Sequence, residues 1–387
     1  MTHTLLLKNG TVVTPEGILE NGDVFIEDGT IQEVGPSISK QADEQIDVQG
    51  NYILPGFIDM HIHGAAGADV MDATTEALET MANVLPKEGT TSFLATSMTQ
   101  APEAIEDALK NAGEFSTKVG QAQMLGIHLE GPFVSPKRAG AQPLEHICPP
   151  NSDQFDAWQQ AAKGRIRMVT LAPEEPNGFS FIKKLAAEGI VASMGHTDAT
   201  IAQMEEAAKA GAIQATHLYN QMSPFHHREP GAIGGALLVD ELCAEVIADF
   251  VHSHPKAVEL AYRVKGADKL ILITDAMRAK GLQPGEYDLG GQPVHVTETD
   301  ARLSDGTLAG SILTMEHAVQ NIVRILGVSP LDVAKITSGN AARQLGLPKK
   351  GKVAAGSDAD LVILSKEWSV VQTICGGITG YEQDGSV

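Results

Sequence analysis

His61 and His63 stand two residues apart in the run Phe57-Ile58-Asp59-Met60-His61-Ile62-His63-Gly64. Side chains alternate across a strand with period two, so imidazoles at this spacing share a face and form a ready pair of metal ligands. Ile58, Met60 and Ile62 alternate against Asp59, His61 and His63, and the run reads as a strand ending at Gly64. Alone the pair says little, because such pairs arise by chance. The rest of the chain answers it with further donors at the ends of strand-like runs: His128 and Glu130, His196, His217, Asp249 followed by His252, and Asp275. Any one of these histidines reads as a satisfied core side chain. A whole set at corresponding strand ends reads as a metal site.

The donor types narrow the ion. Imidazoles and carboxylates without cysteine suit a divalent metal, Zn or Fe first, with Mn or Co also compatible. His61, His63, Glu130, His196, His217 and Asp275 are more donors than one four-coordinate ion needs, so one or two ions per subunit are expected. Glu130 is placed to bridge, with His61 and His63 serving one ion and His196 and His217 the other. Two ions sharing a water would make a strong nucleophile near neutral pH.

Such donors need a frame that brings distant strand ends to one mouth. Residues 1–54 carry short alternating runs punctuated by Asn9-Gly10, Asn21-Gly22, Asp28-Gly29 and Gln49-Gly50, the pattern of hairpin turns. From Pro55 the pattern changes to apolar strands alternating with segments of helical period. The strand candidates are 57–63, 91–95, 124–129, 166–171, 190–194, 213–217, 245–249 and 270–274. Helical periodicity falls at 74–87, 101–112, 152–162, 179–188, 200–210 and 255–264, and again after the eighth strand at 314–326, 330–336 and 338–345. Eight strands with intervening helices give the count and length of an α/β fold of the (β/α)8 barrel type, whose C-terminal strand ends form the reactive face. An open doubly wound sheet would want a glycine-rich phosphate turn after an early strand, and none is present. Residues 359–364 and 370–375 return to strand character. The expected organisation is therefore a barrel over 55–348 and a small β-sandwich built from 1–54 together with 349–387.

Bulk properties bound the partners. With 28 Lys and Arg against 49 Asp and Glu, the net charge of −21 excludes nucleic acid and anionic membrane, which need a basic footprint. An anionic substrate must then be held by a local site. Cys148, Cys243 and Cys375 are odd in number and lack paired spacing, as expected of reduced thiols in a cytoplasmic protein. No basic start followed by an apolar run resembles a signal peptide, and no apolar run reaches the ~18 residues of a membrane span.

Motifs along nearly the whole chain carry a resemblance: Leu54-Pro55-Gly56-Phe57-Ile58-Asp59, Gly126-Ile127-His128-Leu129-Glu130-Gly131-Pro132-Phe133, Met194-Gly195-His196-Thr197-Asp198, Thr216-His217-Leu218-Tyr219-Asn220, Arg228-Glu229-Pro230-Gly231, Ile273-Thr274-Asp275 and Gly306-Thr307-Leu308-Ala309-Gly310-Ser311. By these the sequence resembles the amidohydrolase superfamily, and within it the branch that deacetylates N-acetylglucosamine 6-phosphate, in its two-metal form. The resemblance implies hydrolysis of the sugar's acetamide in amino-sugar catabolism, with Asp275 as general base and then general acid. It implies substrate contacts from Ala141, Gln142, Asn220, Gln221, His252, Leu308, Ala309 and Gly310. It also implies a homodimer in which Arg228 reaches the neighbouring subunit's site to meet the phosphate. Gln142 stands where some members carry histidine, which leaves one hydrogen bond to the substrate carbonyl open. Two other readings remain: a cyclic-amide hydrolase acting on an unphosphorylated substrate, which would not need Arg228 and Asn220, and an inactive barrel scaffold, which should have lost ligands that this chain keeps.

Overall fold

The computed structural model describes residues 3–383. Five strands precede the barrel: β1 (Thr4–Thr14), β2 (Gly17–Glu27), β3 (Thr30–Gly35), β4 (Glu44–Asp47) and β5 (Tyr52–Pro55). Asp28 and Gly29, with φ of 46° and 73°, form the tight turn between β2 and β3, matching the twist of a two-residue hairpin. Asn9-Gly10 and Asn21-Gly22 are not turns. They sit inside β1 and β2, where the pairing register shifts on both sides of Gly10 and Asn9 and Asn21 take positive φ. The same residue chemistry that suits a turn here absorbs bulges in long strands.

One strand later the barrel begins. Its eight parallel strands are β6 (Phe57–Ile62), β7 (Thr90–Thr96), β8 (Gln123–Glu130), β9 (Ile166–Leu171), β10 (Val191–Met194), β11 (Gln214–Ala215), β12 (Cys243–Ile247) and β13 (Leu270–Ile273), paired in chain order. A bridge between Ile62 and Ala276 joins the last strand's end to the first. β11 is only two residues long, because its expected end at His217 has already turned out of the ladder with φ of 30°. Amphipathic helices such as Thr75–Val84, Pro102–Glu114 and Ile201–Ala210 cover the outside, capped by Thr74 and Thr200 side chains where a cap is present. Gly231–Leu238 is a further helix that periodicity does not announce, since its glycine-rich run has apolar residues all round.

A departure lies just beyond β13. Instead of passing directly to helices, the chain first makes a three-stranded antiparallel sheet, β14 (Gly285–Leu289), β15 (Gln292–Val296) and β16 (Ala301–Arg302). It packs Leu289, Val294, Val296 and Ala301 on Met98, Met277 and Ala309 as a separate small core. Then β17 (Leu361–Leu364), β18 (Val370–Cys375) and β19 (Ile378–Glu382) join the N-terminal strands in one sheet, ordered β19-β18-β17-β5-β1-β2-β3 with β4 beside β1. The link between chain ends is the antiparallel pairing of β17 with β5.

Candidate active site

Strand pleat, loop strain and a hydroxyl network together place the donors. On β6, Asp59 and His61 face the barrel interior and His63 follows at its mouth, all at most 3% exposed. Asp59 pins the first strand to the eighth by accepting the Thr274 hydroxyl at 2.5 Å and the Thr274 N–H at 3.3 Å. Glu130 closes β8. His196, His217 and Asp275 each sit just past a strand with φ of 47°, 30° and 50°. Three non-glycine residues in the left-handed region within one site carry strain that the surroundings must overcome, as happens where geometry serves function. Below them the interior is polar: Thr96 and Thr170 hydroxyls contact His128 at 3.3 and 2.7 Å, and Thr170 and Ser193 meet Thr216 at 2.8 and 2.6 Å.

The donor atoms converge in two groups. In His61, His63 and Asp275, and likewise in Glu130, His196 and His217, the ligand atoms lie within 4.8 Å of one another. Asp275 Oδ1 is 3.4 Å from His61 Nε2 and 3.3 Å from His63 Nε2. Glu130 stands between the groups, with Oε1 at 3.3, 3.5 and 3.2 Å from the Nε2 atoms of His61, His196 and His217, and Oε2 at 3.2 Å from His63 Nε2.

These spacings fit a metal ion. Donors at 2.0–2.2 Å from a tetrahedral ion are separated by roughly 3.3 Å. The Nε2 atoms of His196 and His217 face each other at 3.1 Å. His61 Nε2 is buried without a directed hydrogen bond although carboxylates surround it. A divalent cation at each group would satisfy every one of these atoms. His196 is also oriented for it, because its Nδ1 is held by the Arg138 carbonyl at 2.8 Å, leaving Nε2 free.

The electrostatics agree. Burial pulls His61 down, but Glu130 and Asp275 overcome it and raise it well above the usual imidazole value; His63 is raised to about 9 by the same pair against the same burial. Burial alone would push Asp275 up, yet His61 and His63 hold it at about 2. Glu130, also opposed by burial, is driven well below the carboxylate range by His61, His196 and His217. The pocket is built to hold positive charge between fixed carboxylates, whether as protons or as ions.

A pocket of about 340 Å³ opens over the donors. Of the residues expected at the substrate, Ala141, Gln142, Asn220, Gln221, His252, Leu308 and Gly310 line it. Ala309 is fully buried behind the wall in the small lid core. Gly310 has φ of 66°, and a Cβ there would meet the Asp275 carbonyl at 3.1 Å, so the loop needs glycine to pass this close. Gln142 donates from Nε2 to Glu130 Oε2 at 3.0 Å and accepts the Thr99 N–H at 2.9 Å, so it steadies Glu130. Arg228 is exposed, hydrogen-bonded to His227 at 2.9 Å, and does not line this pocket. Met98, Leu289, Arg302, Gly306 and Thr307 do line it and were not anticipated. Met98 follows the end of β7, where position alone could have marked it. The other four come from the lid sheet and its following turn, which no periodicity signals.

A model of the amidohydrolase family matches residues 52–379. The chain is 52% identical over 375 residues to an N-acetylglucosamine-6-phosphate deacetylase of Lysinibacillus sphaericus, covering 97% of each. It is 53% identical over 385 residues to the enzyme of that name from Bacillus subtilis (strain 168), again covering 97% of each. Among solved structures, a variant of the Mycobacterium smegmatis N-acetyl-D-glucosamine-6-phosphate deacetylase in complex with N-acetyl-D-glucosamine-6-phosphate superposes with a TM-score of 0.90. It shares 32% identity, over 98% of this chain and 99% of that one.

Proposed function

This chain belongs to the amidohydrolase family, and from that premise we infer that it hydrolyses the acetamide of N-acetyl-D-glucosamine 6-phosphate to D-glucosamine 6-phosphate and acetate. The observation that carries the reading is Asp275. Its carboxylate lies against both histidines of the first donor group, in the same pocket as the second.

An amide is a weak electrophile with a poor leaving group, so its hydrolysis needs activation at the carbonyl, at water and at nitrogen. A divalent ion, when bound, supplies Lewis acidity to the carbonyl and lowers the pKa of water. His61, His63 and Asp275 would hold one such ion, and Glu130, His196 and His217 the other, with zinc or iron favoured by the donor set. Asp275 accepts the proton of the attacking water at its carboxylate and delivers it to the departing amine nitrogen. It can do so because the neighbouring imidazoles keep it ionised until the proton arrives. Gln142 holds Glu130 in place throughout.

The remaining residues orient the sugar. Asn220, Gln221 and His252 offer polar groups to the pocket, and Leu308 and the Gly310 backbone add to its lining. Fixing the acetamide against the donors removes orientational freedom from the reaction. Leu289, brought by the β14–β16 sheet, adds an apolar side chain to the lining. For the phosphate, Arg228 serves the neighbouring subunit of a homodimer; within its own chain it is exposed and does not line the pocket. The barrel and the small β-unit would divide at residues 54/55 and 348/349.

Acetate release from N-acetyl-D-glucosamine 6-phosphate by apoprotein reconstituted with zinc tests the reading. Equal turnover of unphosphorylated N-acetyl-D-glucosamine would refute the phosphosugar assignment, and no release from either would refute the deacetylase.

A further inference from the structure

We propose that Glu245, which is not among the donors, positions both metal groups at once. The inference rests on the two-group metal reading above. Glu245 lies on β12, wholly buried, and its two oxygens receive three donors. Oε1 accepts the Gln214 side-chain N–H at 2.6 Å. Oε2 is 3.3 Å from His61 Nδ1 and accepts the backbone N–H of His217 at 3.1 Å. One oxygen thus touches a residue from each group, across 184 positions of sequence in one case and 28 in the other.

The chemistry of each contact assigns its role. A carboxylate offers only acceptors, so His61 carries a proton on Nδ1, and with an ion at the first group its Nε2 lone pair is left for that ion. The opposite tautomer would leave two lone pairs facing each other in a buried site. An imidazole oriented in this way by a carboxylate is a better ligand and a fixed one. The contact to His217 works through the backbone. His217 adopts φ of 30°, a conformation ordinary residues avoid, and its N–H has left the strand ladder. Glu245 supplies the acceptor that conformation requires, and its own carbonyl receives the next N–H, from Leu218, at 2.8 Å. Without the Glu245 carboxylate the turn that aims the His217 ring loses its side-chain anchor and keeps only the backbone one. Glu245 is therefore a positioning residue, acting through His61 on one group and through His217 on the other.

The test is zinc affinity, read by dialysis against buffered zinc and elemental analysis. Glu245→Met preserves bulk and removes both acceptors. Both zinc equivalents should then bind about 10- to 100-fold more weakly, the usual cost of losing an outer partner, whereas His61→Asn removes one equivalent selectively. Either equivalent retaining wild-type affinity in Glu245→Met would overturn the shared role. Glu245→Gln keeps an acceptor oxygen, and its amide N–H can meet Gln214 Oε1, which is otherwise unpaired; it should retain more affinity than Glu245→Met. Equal losses in the two would refute positioning by hydrogen bonds. Should Glu245→Met fail to fold, 15N imidazole spectra of zinc-loaded wild-type protein decide, with His61 assigned by its disappearance in His61→Asn. An Nδ1–H tautomer supports the proposal, and an Nε2–H tautomer overturns it. Wild-type protein binding no zinc that His61→Asn loses would instead refute the metal assignment itself.

Discussion

The backbone N–H of Asp275 donates to the carbonyl of His61 at 2.8 Å, across the seam where the eighth barrel strand meets the first. Closing the barrel and bringing the carboxylate to the histidine pair are the same event. From the other side, the Ser311 N–H holds the Asp275 carbonyl at 2.7 Å, so the strained φ of 50° is clamped between the first strand and the loop of Gly310. Asp275 is thereby fixed in its backbone while its side chain faces the pocket.

Asp275→Asn should leave this clamp intact, because both bonds are made by backbone atoms. It removes the proton acceptor and leaves an amide oxygen where the first donor group had a carboxylate. We expect kcat to fall by about 10² to 10⁴, the range for losing a general acid or base, with the fold unchanged by circular dichroism. A variant retaining more than about a tenth of wild-type kcat would show that the proton is carried elsewhere.

The two donor groups predict a pattern of metal loss. His61→Asn and His63→Asn should each remove one equivalent, and His196→Asn and His217→Asn the other. Elemental analysis of each purified variant, beside wild type, reads this directly. A single equivalent in fully active wild-type protein would contradict two working positions.

His252 gives a pH dependence set chiefly by its own burial and by Asp249, a residue outside the donor groups. Burial lowers its pKa, but Asp249, whose Oδ2 is 2.6 Å from His252 Nδ1, together with the more distant Asp275, raises it on balance; Arg302 opposes. A histidine raised on folding stabilises the fold fully below its unfolded value near 6.5, and that stability disappears as pH rises through the higher folded value. Asp249→Asn should therefore lower the melting temperature relative to wild type more at pH 6 than at pH 9. A gap that stayed constant or widened at pH 9 would show that the pair does not titrate in this way.

Much of this was legible because barrels write their function at strand ends. The period-two run around His61, the polar residues closing later strands and the alternation of strands with helices all follow from local side-chain patterning. Residues whose roles arise only in three dimensions were hidden. Nothing local marks Glu245 as a partner of His61, and Arg302 enters the pocket only because the β14–β16 lid folds over it. Asn9-Gly10 shows a third kind of limit: residues that tolerate positive φ serve a bulge as well as a turn, and only pairing across β2 separates the two. The helix Gly231–Leu238 escaped because a nearly uniform apolar run carries no amphipathic period.

The phosphate contact yields the sharpest test of the dimer. Within the chain, the arginine lining the pocket is Arg302, already engaged with Asp300 at 2.6 Å and the Gly306 carbonyl at 2.9 Å, whereas Arg228 stands exposed outside it. If Arg228 serves the neighbouring site, Arg228→Ala should raise KM for the phosphorylated sugar. A hydrogen bond to a charged group contributes ~1.5–3 kcal/mol, corresponding to roughly 10- to 150-fold. Turnover of the unphosphorylated sugar should hardly change. Mixing Arg228→Ala with Asp275→Asn subunits then separates the two ways of placing the arginine. In a mixed dimer, one centre keeps its own Asp275 and borrows an intact Arg228 from its partner, while the other centre carries both defects. Subunit exchange should restore a low KM, with kcat per dimer at most half of wild type. If mixed dimers form, as native mass spectrometry would show, and KM stays high, Arg228 acts only within its own chain and the shared site is wrong.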